Sequence, residues 1–122
     1  MSREVSSRDR CHQVHRWLQE KFCLPRGTRL RVVRRMPKEH GDKCDGVIIF
    51  DKSPALIWVN ANRSRSTMIY TVLHEYAHAI LEDRHRDWKS LEHSDPWYRV
   101  LGIVERRYFD GGEKESRAYR VR

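Results

Sequence analysis

The stretch Ile69-Tyr70-Thr71-Val72-Leu73-His74-Glu75-Tyr76-Ala77-His78-Ala79-Ile80-Leu81 decides the fold of this chain. Ile69, Leu73, Ala77 and the pair Ile80-Leu81 recur at three- and four-residue spacing, which is the apolar stripe of a helix. The pattern opens near Ser64 or Ser66, after Asn60-Ala61-Asn62-Arg63, and runs to about Glu82. Inside it stands His74-Glu75-Tyr76-Ala77-His78, an HExxH arrangement. Side chains four apart lie one above the other on a helix, so both imidazoles can reach a single metal ion from one face. Glu75 is rotated about 100° from His74 by the 3.6-residue turn, which takes it off the ion and toward its water. A zinc ion lowers the pKa of a water it holds, and a carboxylate beside that water can take the proton as the water attacks a carbonyl. Both histidines sit in an otherwise apolar stretch, where imidazoles without partners are costly to bury. The competing reading is two core histidines hydrogen-bonded to carbonyls, with Glu75 in solvent.

Working outward, Val47-Ile48-Ile49-Phe50 and Leu56-Ile57-Trp58-Val59 are short apolar segments joined across Asp51-Lys52-Ser53-Pro54, a hairpin signature. Before them Arg29-Leu30-Arg31-Val32-Val33 alternates as a strand with one exposed face. Met36 to Asp45 reads as a polar loop. A first helix is expected over Ser6 to Cys23, where Cys11, Val14, Leu18 and Phe22 form a stripe that Trp17 widens. Ser6 is placed to cap it, and Leu24-Pro25-Arg26-Gly27 ends it. Beyond the motif, Glu82 to Glu92 is highly charged and reads as a loop. A last helix is expected from Ser94-Asp95-Pro96, a capping side chain before a first-turn proline, with Trp97, Leu101, Val104 and Tyr108 inward. Gly111-Gly112 stops it, and the tail to Arg122 is expected to fray. One helix, about three mostly antiparallel strands and two helices make the class α+β.

The 122 residues suit one domain, and 39% hydrophobic against 34% charged residues permits one modest core. The longest apolar runs, Gly46 to Phe50 and Ala55 to Val59, are far short of the roughly 20 residues of a membrane span. The opening Met1-Ser2-Arg3-Glu4 is polar, so no secretory signal is read and cytoplasmic residence is expected. Cys11, Cys23 and Cys44 form no CxxC pair, which disfavours a disulfide scaffold or cysteine zinc ribbon and leaves three reduced, partly buried thiols. Lysine and arginine total 25 against 17 acids, a net charge of +8. Nucleic acid is therefore a candidate partner, because neutralised phosphates release counterions. Plain solvation of the surface is the other reading.

A catalytic zinc site usually takes three protein ligands plus water, so a third must follow His78. The metzincin spacing asks for glycine and histidine at positions that here hold Leu81 and Arg84, which leaves His85 out of register. His93, just before the Ser94-Asp95-Pro96 helix start, is favoured, because a rigid turn there could fix its ring over the motif helix. Glu82, Glu92 and Asp95 are the remaining candidates.

The run Tyr70 to Ala79, followed fifteen residues after His78 by His93-Ser94-Asp95-Pro96-Trp97, resembles the SprT-like zinc metallopeptidases, which include the Spartan proteases. The likeness covers roughly Val47 to Tyr108. It implies zinc ligands His74, His78 and His93, Glu75 as base, and a zincin-type fold whose cleft is lined by a strand, for which Leu56 to Asn60 is the candidate. A protein or peptide would be the substrate. Ser94 stands where that family usually has glycine, and no cysteine follows Cys44 to build the C-terminal zinc ribbon of many members. The ImmA/IrrE peptidases share the strand-then-HExxH layout and are the second resemblance. Tyr98, Tyr108, Arg99 and Arg106 are candidate oxyanion donors, although core packing is the expected role of both tyrosines. The rival function is a basic nucleic-acid-binding module with a structural or vestigial zinc. A zinc hydrolase acting on a non-peptide amide is the third.

Overall fold

The computed structural model describes residues 5–121. Helix α1 spans Ser7–Lys21, strands β1, β2 and β3 span Thr28–Val33, Gly46–Ile49 and Ala55–Asn60, and helix α2 spans Arg65–Arg84. A single turn α3 covers Trp88–Leu91, α4 covers Asp95–Arg107, and a kinked π-type turn over Tyr108–Gly112 leads into α5 at Glu113–Ser116. The fold is α+β, as the patterning predicts. Ser6 caps α1, its hydroxyl accepting from the Asp9 amide at 3.1 Å. Cys11, Val14, Trp17 and Leu18 are fully buried along the inward stripe.

The sheet is mixed, in the order β1-β3-β2. β2 and β3 form the expected antiparallel hairpin, with Val47 opposite Trp58 and Ile49 opposite Leu56. β1 and β3 run parallel, with Arg29 beside Leu56 and Arg31 beside Trp58. The expectation of a mostly antiparallel sheet is thus corrected, and the reason is the 34–45 connection. It carries the chain past β3 to its far side and is pinned there by Asn60, whose Nδ2 donates to the carbonyls of Asp42 and Cys44 at 2.9 and 3.0 Å.

Among the described residues the helices that touch the sheet, α1 and α2, lie on one of its faces. Helix α2 packs against β2 and β3 below, α1 on one flank and α4 on the other. It is therefore covered nearly all round, and from Thr71 to Leu81 only His74 escapes full burial. A helix enclosed in this way needs no single stripe. Ile69, expected inward, is only half-buried, while Tyr76 is buried and donates its hydroxyl to the Phe22 carbonyl at 2.6 Å.

Two stretches differ from the sequence reading. The charged segment after Glu82 contains α3, whose Trp88 packs on Phe50 at a ring distance of 4.6 Å. The tail expected to fray is docked instead. Arg10, 1% exposed, donates to Tyr108 Oη, the Glu113 carbonyl and Ser116 Oγ at 3.0, 2.9 and 2.8 Å. Gln13 Nε2 donates to the Arg117 and Tyr119 carbonyls. These long-range polar contacts leave no period in the sequence, so hydropathy alone could not find them. Among the described residues no helix is long and apolar enough to cross a membrane.

Candidate metal centre

His74 and His78 come from consecutive turns of α2, which stack them on the face turned toward α4. His93 comes from the corner between α3 and α4, where its backbone adopts φ 57°, the left-handed region. Only a few per cent of non-glycine residues take this conformation, histidine more readily than most. The corner is held by Ser94, whose amide donates to the Leu91 carbonyl at 3.0 Å and whose hydroxyl donates to the same oxygen. Ser94 stands at the N-cap of α4 without a side-chain capping bond, which corrects its expected role. Its hydroxyl closes the preceding turn, and Pro96 stands in the first turn of the helix.

The result is convergence. One nitrogen from each of His74, His78 and His93 lies within 4.8 Å of the other two, close enough to hold one metal ion. His78 and His93 rings are 5.0 Å apart and those of His74 and His78 5.1 Å. Trp97, 2% exposed, touches all three rings at 4.6 to 4.9 Å and stacks on His78. The apolar pattern places Trp97 only in the core; its second role shows once α4 folds back over α2.

Burial lowers the pKa of His78 to about 4, with the neighbouring imidazoles adding to the effect, and burial also lowers His74. Both rings are therefore neutral at pH 7, with lone pairs free for a metal. His78 Nδ1 is buried without a hydrogen-bond partner among the described residues. An imidazole with an orphaned nitrogen is out of place in a core unless something beyond the polypeptide engages the ring. This argues against two carbonyl-bonded core histidines, and it makes the donor set fit a borderline-soft divalent ion such as zinc. Glu75 is 8% exposed rather than solvated. Burial, and then the Glu92 carboxylate, push its pKa up to about 7. Its Oε2 lies 3.9 Å from His74 Nε2.

No protein-family model, no curated protein and no solved structure matches this chain. The residues themselves carry the argument. His85, which caps the end of α2, is outside the histidine cluster, as are Glu82, Glu92 and Asp95.

A cleft of about 240 Å³ opens beside His74 and Glu75, walled by Asp45, Gly46, Tyr70 and Thr71. The strand at this wall is the start of β2, an edge of the sheet. Leu56 to Asn60, the strand expected to line the cleft, belongs to β3, the central strand, paired on both sides. The hairpin was legible, but nothing in two similar apolar runs tells which of them another strand will cover. Tyr70 was not foreseen as a cleft residue, although its place four residues before His74 puts it on the same helix face. It is 44% exposed, with its ring 6.2 Å from that of His74. Tyr108 is buried and bonded to Arg10, as core packing requires, whereas Tyr98 is 58% exposed and is not a core residue. A larger cleft of about 400 Å³ lies near Leu24, Phe50, Lys52 and Ala79 and contains none of the three imidazoles.

Proposed function

We propose that this protein is a zinc-dependent metallopeptidase of the SprT-like, zincin type that hydrolyses peptide bonds in a protein or peptide. The observation that supports this reading most directly is the convergence of His74, His78 and His93 beside a buried carboxylate. The three imidazoles are the residues to hold the ion, and zinc, when bound, supplies Lewis-acid polarisation of the scissile carbonyl and acidifies water. Glu75 has the position and the pKa, about 7, of a general base at neutral pH. It takes a proton from the attacking water as the carbon–oxygen bond forms, then passes that proton to the leaving amine as the carbon–nitrogen bond breaks. Trp97 keeps water from the rear of the three rings and fixes their orientation. An extended peptide fits the open edge at β2, where unpaired backbone groups can meet its own.

The test is Glu75→Gln. The variant should bind zinc in the same stoichiometry by elemental analysis and lose at least about a hundredfold of its cleavage rate on an unstructured protein such as casein. Retained cleavage would reject the base assignment. A wild-type protein that holds zinc yet cleaves no peptide or protein would reject the peptidase reading.

A further inference from the structure

The sheet has a second face, and among the described residues no helix covers it. The helices that touch the sheet, α1 and α2, pack on the side of Leu30, Val32, Ile57 and Val59. The opposite side presents two rows that run across the three strands. Arg31, Trp58 and Val47 form one, and Arg29, Leu56 and Ile49 form the other. The four apolar members are only partly buried and stand outside the core cluster, and both arginines are exposed. The Arg31 guanidinium lies 5.7 Å from the Trp58 ring centroid. β1 is an edge strand, and the charge on it is one-sided. Between Glu20 and Glu39 the chain carries seven lysines and arginines and no acid. Arg29, Arg31, Arg34 and Arg35 are all exposed, and none makes an ion pair among the described residues.

We propose that this outer face is a binding surface for single-stranded nucleic acid, with phosphates along the β1 arginines and bases on Trp58 and the apolar strip beside it. The inference is independent of the peptidase reading. Arginine forks on an edge, without a carboxylate partner among the described residues, suit a polyanion with regularly placed oxyanions. An aromatic ring flanked by aliphatic side chains on an open sheet suits flat apolar bases, which a single strand exposes and a duplex hides. An acidic peptide would satisfy the arginines but leave the Trp58 strip without a complement. The two arginines stand about 7 Å apart along the strand, so they can engage separate phosphates.

The experiment is fluorescence anisotropy of a labelled oligothymidylate with the full chain, at several salt concentrations, against a duplex of equal length and polyglutamate as competitors. Binding should weaken with salt. Arg29→Gln combined with Arg31→Gln should weaken it about tenfold or more and reduce the log–log salt slope by about 1.4. Trp58→Leu should weaken it about fivefold or more with the slope unchanged, and Trp58→Phe, which keeps a stacking face, should recover most of that loss. Removing the same charge with Arg86→Gln and Arg107→Gln, away from the sheet, should cost less than twofold. Circular dichroism melting confirms that each variant is folded; the arginine pair, exposed and without an ion pair among the described residues, serves alone should either Trp58 variant unfold. Equal weakening by the Arg86 and Arg107 pair, equal competition by duplex or polyglutamate, or no binding of the oligonucleotide would overturn the proposal.

Discussion

His85, one residue past the end of α2, and His93, fifteen past His78, make different claims on the same ion, and the difference is testable residue by residue. His93 reaches the cluster only because its backbone takes a left-handed turn, a conformation that costs on the order of 1 kcal/mol for a side chain with a Cβ. His85, in an extended conformation at the end of α2, lies outside the cluster. His93→Ala should therefore lower zinc affinity roughly a hundredfold or more, while His85→Ala leaves it unchanged, as read by competition with a chelating dye. The opposite pattern would displace His93 from the ligand set. Outside the cluster, His15 adds its own share to the response to acid. His15 is 5% exposed, 2.7 Å from Thr28 Oγ1, and burial lowers its pKa from 6.5 to about 4. The unfolded chain thus takes up a proton at this side chain below pH 6.5 that the folded chain refuses until about pH 4. Stability from this site is complete above pH 6.5 and declines between 6.5 and 4 by roughly 3 kcal/mol. His15→Gln should make that part of the urea-denaturation pH profile shallower, leaving the share due to the buried His78, and an unchanged profile would exclude His15 as a contributor.

At the scale of elements, the sequence disclosed what period and spacing encode and concealed what depends on distant partners. The helix carrying His74 and His78, the cap at Ser6 and the β2–β3 hairpin follow from local patterns, and so does the histidine pair. The order of strands does not, because Val47 to Phe50 and Leu56 to Val59 are equally apolar, and the central place went to the strand that β1 joined. Arg10 gave no apolar signal, yet it anchors the C-terminal turns. The position of β2 against α2 rests on another quiet residue, Gly46. A Cβ there would stand 2.3 Å from Thr71 Cγ2 and 2.7 Å from the Trp58 carbonyl oxygen. Gly46→Ala should push β2 away from α2, costing about 1–3 kcal/mol in urea denaturation and slowing casein cleavage through the widened cleft. Thr71→Ser in the same chain removes the methyl but not the carbonyl conflict, so it should restore only part of the stability. Full restoration would place all the strain on the methyl, and no loss in Gly46→Ala would deny the close approach.

For the whole molecule, the three imidazoles join its most enclosed helix to the exposed corner between α3 and α4. α2 is held by α1, α4 and the sheet, whereas His93 sits on an exposed turn between the single turn α3 and helix α4. An ion shared by both would tie that corner to the core and so favour the folded state over the unfolded one by mass action. At a free zinc concentration about a hundred times the dissociation constant, the gain is about 2.7 kcal/mol. For a chain of this size that is roughly a 10 °C rise in the melting temperature. Protein stripped with a chelator should melt about that much lower and regain the difference when zinc returns. Glu75→Gln, which leaves the ligands intact, should show the same shift. His93→Ala should lose most of it, because the ion would then hold only two rings of one already rigid helix and link nothing to the corner. A full zinc-dependent shift surviving in His93→Ala would mean that the ion binds elsewhere, and the convergence of the three rings would then have no part in holding it.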